Sequence, residues 1–479
     1  MTSTVPPARG ARRGRRAALK LGLALCAAAV ALAALEGLAR ALERLRPDRA
    51  TAQTRLPPKA PGAFRVLAYG GSTVAGLPIP EWGFLAQLEF WMRQARPDQR
   101  LEIFNLAVPG GSSTRALWAL ERTIRREPDV LIVLSGHNEY LHPRVEGRLY
   151  RRLLHSALYR SALRVAGKAF GPRFGSNPFS APRTYDRDSA LFREKARVYR
   201  ENLRAMAALA QRRGVPLVLL TAPSNLADWP PAGATPPAAL GGAPAGTAAP
   251  EAAALFESAR SRAAAADYEA ARALFERARD LDPVPWRALS EFNRAVRETA
   301  AEFDAVLVDA EAALTAHAEH GLVGFDLICD NCHPTPRGQA IIAQELLRGL
   351  AARKLWPAPV AAPADPDERL AVFLNRTLTP PQRRALESKY CFKTGRYAML
   401  TPFFNFGAAR MYFERGLALD DRDWRLYANL ASLALLEGRC EEGRRLLEAA
   451  ARCRGGALDP QDRRQTPYLK EALERMAAR

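Results

Sequence analysis

The sequence predicts an α/β protein in which a parallel β-sheet is covered by helices on both faces and followed by an all-helical region. Two observations carry this. Between residues 64 and 350, short apolar runs alternate with stretches of helical spacing, and the run Val130–Leu134 is apolar at every position, as strands buried on both faces of a parallel sheet are. Beyond residue 368 the short runs stop and helical spacing alone continues.

In chain order, residues 66–69 read as the first strand, 82–95 as a helix, 102–107 as the second strand and 114–126 as a helix closed by Pro128. Val130–Leu134 is the third strand, 191–213 a crossover helix, 215–221 the fourth strand, 305–308 the fifth and 338–350 the last helix of the sheet region. Three segments interrupt this alternation. Residues 141–173 are basic and amphipathic, which suits a solvated helix face or contact with a membrane surface. Residues 229–250 are rich in proline, alanine and glycine and read as a loop. The third, 251–283, ends in a stretch from Ala266 to Pro283 that resembles the second half of a tetratricopeptide repeat, with small residues where helices pack closely and a closing proline. After a linker at 357–367, residues 368–479 form helices expected at 408–419, 424–437 and 441–451, again resembling degenerate tetratricopeptide repeats and expected to pack on the α/β region.

At 479 residues with 48% hydrophobic and 25% charged content, the chain is long enough for two or three packed units. The net charge of +20 raises nucleic-acid binding, but only eight of the 70 basic residues are lysine, and the arginines are scattered with alanine. Without zinc-finger spacing or interleaved aromatics, the charge does not read as a nucleic-acid-binding face.

Residues 1–40 carry Arg9, Arg12, Arg13, Arg15, Arg16 and Lys20 ahead of an apolar run from Leu21 to Leu35 that Glu36 closes. The run suits an uncleaved transmembrane anchor, and it also fits a signal-peptide core. Either way the basic end stays cytoplasmic and the bulk is exported; as an anchor in a bacterial chain it makes a single pass through the inner membrane with the larger part periplasmic or extracellular. Residues 41–63 read as a tether. Export would put Cys329, Cys332, Cys391, Cys440 and Cys453 where disulfides are permitted, and an odd number leaves one unpaired.

The first strand runs into Gly70-Gly71-Ser72-Thr73, and glycines there let the backbone turn sharply and leave the Ser72 hydroxyl uncrowded at the strand's carboxyl end. A serine nucleophile needs a base, a group to orient it and donors for an oxyanion. Cys329-Asp330-Asn331-Cys332-His333, just before the last helix, offers the first two, because a turn can bring the Asp330 carboxylate to one imidazole nitrogen of His333 while the other faces Ser72. Asn105-Leu-Ala-Val-Pro-Gly110 after the second strand offers the Gly110 N–H, and Gly136-His137-Asn138-Glu139 after the third offers the Asn138 amide. Asn225 and Arg287 are further candidates for substrate contact, with a loop cap and a surface charge as their structural readings.

In order, Gly71-Ser72, Asn105 with Gly110, Gly136-x-Asn138-Glu139 and Asp330-x-x-His333-Pro334 resemble the four sequence blocks of the SGNH or GDSL hydrolase superfamily, over residues 65–350. The resemblance implies a flavodoxin-like three-layer fold with Ser72 as nucleophile, His333 as base and Asp330 orienting it. It also implies an oxyanion hole of Ser72 N–H, Gly110 N–H and the Asn138 side chain. The Gly-His-Asn-Glu and Pro223-Ser224-Asn225-Leu226 stretches resemble a bacterial subgroup in which an anchored domain of this kind, here 64–356, carries tetratricopeptide helices. Gly71 stands where the family usually has aspartate, and Glu139 replaces a commoner aspartate. Val74 rules out the Gly-x-Ser-x-Gly elbow of the α/β-hydrolases. The expected activity is that of a serine esterase acting on O-acyl groups of a carbohydrate or cell-envelope molecule, as hydrolase or acyltransferase, with no cofactor.

Other readings remain open. Cys329-x-x-Cys332-His333 matches the c-type haem attachment pattern, in which His333 would bind iron. The two cysteines also suit a disulfide or free thiols. The tetratricopeptide-like helices could make the chain a protein-interaction scaffold with the hydrolase domain as platform. His317-x-x-His320 has the spacing of metal ligands on a helix but lacks a third ligand.

Overall fold

The computed structural model describes residues 9–47, 49–142, 144–170, 184–231, 250–357, 362–400, 403–462 and 464–477. They fall into two compact units, Met1–Ala52 with Arg148–Ser176, and Gln53–Gly147 with Asn177–Arg479.

The larger unit is built on a mixed α/β core with extended helical regions. Its five strands are β1 (Phe64–Gly70), β2 (Leu101–Asn105), β3 (Val130–Leu134), β4 (Leu217–Leu220) and β5 (Val306–Val308), all parallel in the order β2-β1-β3-β4-β5. Side chains alternate across a strand, so Val66, Ala68, Val130, Ile132, Val218 and Leu220 share one face. There they pack with Phe84, Leu88 and Met92 of the Phe84–Ala95 helix and with Ile341, Ile342 and Leu346 of the Pro336–Ala352 helix. On the opposite face Tyr69 bonds Thr123 of the Ser113–Thr123 helix at 2.7 Å. The Ala190–Arg212 helix follows there, and its Tyr199 ring lies 4.5 Å from Phe292 of the Ser290–Glu302 helix.

The expected strands are present with small shifts. The second ends at Asn105, although Leu106 and Val108 still donate to the Ala68 and Gly70 carbonyls of the first. The helix expected to run to residue 126 stops at Thr123, four residues before Glu127 takes φ 55° ahead of Pro128. Ser290–Glu302, not anticipated, is the helix whose Phe292, Val296 and Ala300 pack under the fourth and fifth strands.

The insertion at 251–283 is a pair of helices, Pro250–Ala264 and Tyr268–Asp280, packed through Phe256, Ala259, Ala271 and Phe275. The expected loop at 229–250 lies largely outside the described residues, as do residues 358–361 of the expected linker. The helical region runs through Pro366–Thr377, Pro380–Met399, Phe406–Leu419, Trp424–Leu436, Cys440–Arg454 and Leu469–Ala477.

In the smaller unit, the Arg9–Leu45 helix holds a segment, Leu19–Leu45, long and apolar enough to cross a membrane, with a mean hydropathy of 2.1 and its leucines exposed. The expected tether therefore begins later than residue 41: Ala41, Leu42 and Leu45 are strong helix formers, and the helix ends just before Pro47. The basic stretch folds as two helices, Arg148–Leu154 and Ala157–Phe170. Glu36 accepts hydrogen bonds from Ser156 Oγ, Ala157 N and Leu158 N at the start of the second helix, where a carboxylate complements unpaired N–H groups.

One buried charge fixes the start of β1. Arg65 is fully buried and donates to the carbonyls of Pro57, Pro58 and Arg126 while pairing with Glu102 at 2.6 Å. Replacing it leaves those acceptors without a donor, so Arg65→Met is expected to lose about 3 kcal/mol in urea unfolding; a loss below about 1 kcal/mol contradicts this account.

Candidate active site

The carboxyl ends of β1 and β3, neighbours whose following segments leave to opposite sides, form the crevice where open α/β sheets hold ligands. Ser72 follows β1. A Cβ on Gly70 would sit 2.1 Å from the Leu134 carbonyl oxygen, and one on Gly71 would sit 2.4 Å from Asn138 Nδ2. Gly70 therefore needs glycine because the β3 backbone approaches too closely, whereas a side chain at Gly71 would have to displace the end of Asn138. Ala75 N and Leu77 N bond the Gly71 and Ser72 carbonyls, so Ser72 opens a helical turn with its own N–H directed out of it.

Residues 328–334 form a closed loop, with Ile328 bridged to Pro334 and Cys329 N donating to the His333 carbonyl. Inside it, Asp330 Oδ1 accepts from Cys332 N at 2.9 Å and His333 N at 2.8 Å. Asp330 Oδ2 lies 2.6 Å from His333 Nδ1, and His333 Nε2 lies 2.7 Å from Ser72 Oγ. Because the carboxylate accepts at both oxygens, Nδ1 carries the imidazole proton and Nε2 is left to accept from the serine hydroxyl. Asp330 is 3% exposed and His333 7%.

Asn105 fixes the second turn by donating to the Val74 carbonyl at 2.8 Å and accepting from Ala107 N at 3.1 Å. Gly110 has φ 74°, a left-handed conformation suited to glycine, and its carbonyl bonds His142 Nε2 at 2.9 Å. Asn138 donates one amide hydrogen to the Gly111 carbonyl at 3.0 Å, and its amide lies beside Gly71. Ser72, Asp330, His333, Asn138 and the Gly110 turn are thus gathered at one end of the sheet.

Asn225 and Arg287 are placed differently. Asn225 is fully buried; it donates to the Ile328 carbonyl, accepts from Asp228 N, and receives the Asn331 carbonyl on its own N–H. Arg287 is buried rather than a surface charge, donating to the Asn225 and Trp229 carbonyls and pairing with Asp282. Their polar groups are turned into the protein, where they hold the segment behind the Asp330 loop.

Cys329 and Cys332 are separate thiols, both buried, and burial pushes both well above the ordinary thiol range. The haem reading fails on this geometry, because the sulfurs face the core and both ring nitrogens of His333 are engaged. Asp330, Cys332 and His333 offer ligand atoms within 4.8 Å of one another, but the carboxylate and imidazole are already committed. His317 bonds the Ala313 carbonyl of its own helix, whereas His320 stacks on Tyr268 at 3.9 Å, so this pair does not form a metal site.

Several supporting residues were not anticipated from sequence. Glu139 is buried and accepts from both Ser113 N and Ser113 Oγ at 2.8 Å. Lys195 donates to the Glu139, His142 and Arg144 carbonyls, which pins the segment following Asn138. The signal was a lysine on the apolar face of the crossover helix. His137 accepts from Ala288 N at its Nδ1, and burial pushes its pKa down to about 3, so it sits as a neutral imidazole.

No protein-family model matches the chain, and no curated protein matches it. Among solved structures it is similar to an acetylxylan esterase from Geobacillus stearothermophilus, at 14% identity over 60% of this chain and 95% of that one, with a TM-score of 0.32. It is also similar to an alpha/beta hydrolase enzyme from the metagenome of Lake Arreo, at 15% identity over 60% and 95% with a TM-score of 0.31. A GDSL-like lipase from Parabacteroides merdae gives 14% identity over 61% and 98% with a TM-score of 0.33.

Burial pushes Glu139 up to about 7 from an ordinary 4.5. The folded state then holds this proton more tightly than the unfolded chain, so its contribution to stability is full below pH 4.5 and is lost as pH rises through about 7. In urea unfolding across that window the wild type should decline by about 3 kcal/mol and Glu139→Gln should not. Parallel pH profiles for the two proteins would refute the assignment.

Proposed function

We propose that the chain is a serine hydrolase of SGNH type that removes or transfers an O-acyl group on a carbohydrate or cell-envelope molecule through an acyl-enzyme on Ser72. The observation that carries this reading is the continuous line from Ser72 Oγ through the His333 imidazole to a saturated Asp330 carboxylate. The strand order β2-β1-β3-β4-β5 supports a flavodoxin-like three-layer architecture for residues 64–356. The helix pairs at 251–283 and within 368–479 are read as tetratricopeptide-like. The apolar N-terminal helix supports an anchored protein with this domain on the far side of the bacterial inner membrane.

In this mechanism His333 Nε2 takes the Ser72 proton as Oγ attacks the ester carbonyl. Asp330, held by two backbone N–H groups, keeps the imidazole in the right tautomer and offsets the charge it gains. The oxyanion lies among Ser72 N–H, Gly110 N–H and the second amide hydrogen of Asn138, since the first is bound to Gly111. The alcohol leaves with the proton from His333. Water, or a sugar hydroxyl in a transferase, then displaces the acyl group by the same steps in reverse.

The full chain in detergent should hydrolyse p-nitrophenyl acetate and be labelled by a fluorophosphonate. Ser72→Ala should abolish labelling and lower kcat by roughly 10⁴-fold or more. Labelling that survives the substitution would sink the proposal. Asn138→Ala should cost about 10²–10³-fold in kcat with the fold intact. Gly71→Ala should cost a similar factor, because its methyl group displaces the end of the Asn138 side chain, which can swing away without unfolding the protein. Unchanged kcat in both variants would remove Asn138 from the oxyanion hole.

A further inference from the structure

The helical region is not an appendage to the sheet. One face of the Pro380–Met399 helix, formed by Tyr390, Lys393 and Tyr397 at spacings of three, four and seven residues, lies against both loops that carry the candidate site. On the Ser72 side, Lys393 Nζ donates to the Pro78 carbonyl at 3.0 Å, and Leu77 N bonds the Ser72 carbonyl, so one short chain of contacts joins this helix to Ser72. On the His333 side, the Tyr397 ring meets the imidazole edge to face, with centroids 5.8 Å apart and planes at 79°. At the other end of the same loop, Cys329 shares an apolar cluster with Tyr390 and Tyr412. Tyr397 is backed in turn by Phe403 at 5.1 Å, and Phe403 by Trp286 and Trp229. The Trp286 carbonyl accepts from Asn331, inside the His333 loop.

Resting on the serine-hydrolase reading above, we propose that this helix is a constituent of the active site. It ties the nucleophile loop to the base loop, and Tyr397 is a positioning residue for His333. Asp330 and Ser72 fix the imidazole at its two nitrogens, which lie in the ring plane. Neither bond by itself prevents the ring from tilting about the line between them, and an aromatic ring set nearly perpendicular to the imidazole supplies that restraint. The role belongs to the Tyr397 ring rather than its hydroxyl. It also assigns residues 380–399 a task inside the enzyme.

The test compares acylation of the full chain by p-nitrophenyl acetate in Tyr397→Phe, Tyr397→Leu and Tyr397→Ala, with each rate divided by the number of sites titrated by a fluorophosphonate. Tyr397→Phe should stay within about twofold of wild type, and the Leu and Ala variants should acylate about tenfold more slowly with KM within about twofold. Leu436→Ala, in a separate apolar cluster of the helical region formed with Leu435 and Ala472, should melt at lower temperature and keep its rate per titrated site. Wild-type acylation in Tyr397→Leu and Tyr397→Ala overturns the proposal, as does an equal loss in Tyr397→Phe or in Leu436→Ala. Because labelling is scored separately with Ser72→Ala, a failure of the brace is distinguishable from a failure of the hydrolase reading.

Discussion

Both oxygens of Asp330 are occupied within one short loop, and the rest of the site depends on that. One oxygen gathers the N–H groups of Cys332 and His333, which closes the turn; the other takes the imidazole Nδ1. A single carboxylate thereby sets both the backbone shape of the loop and the tautomer of the ring it carries. A carboxylate with several N–H partners is stable at 3% exposure, where an unpaired one would not be. Everything behind the loop is arranged to keep it there. Asn225 and Arg287 hold the adjoining segment through backbone carbonyls, and Asn331 turns its amide onto Trp286.

The opposite half of the site follows the same logic. Asn138 is useful only if its amide is held beside Gly71, and the turn that bears it is anchored through Glu139 on Ser113 and through Lys195 on three carbonyls. Buried polar contacts of this kind rigidify a turn, and the cost of burial appears in the raised proton affinity of Glu139 and the neutral state of His137. The sheet supplies the frame, because parallel strands bring the turns after β1, β2 and β3 to the same end.

Much of this was legible in the chain. The run Val130–Leu134 could only be a buried strand, and glycine pairs after the first two strands announced turns. The pairing of Asp330 with His333 was readable because three residues is the reach of a single turn. Lys195, Glu139 and His137 were not readable as supports, because their partners are backbone groups and short side chains distant in sequence. Arg287 was misjudged for a related reason: an arginine looks exposed until the carbonyls that receive it are known. The N-terminal helix was longer than the apolar run suggested, since helix propensity continued past the charge at Glu36.

The sequence by itself determined the alternation of strands and helices, the apolar N-terminal segment and the choice of Ser72, Asp330 and His333 as candidates, because these depend on local spacing and on side-chain type. Tertiary structure alone decided that Cys329 and Cys332 face the core as separate thiols, that Gly71 lies against the end of the Asn138 side chain, and that Tyr397 from a helix 325 residues after Ser72 stands against His333. Those outcomes rest on packing between segments far apart in the chain, where no local pattern records which surfaces will meet.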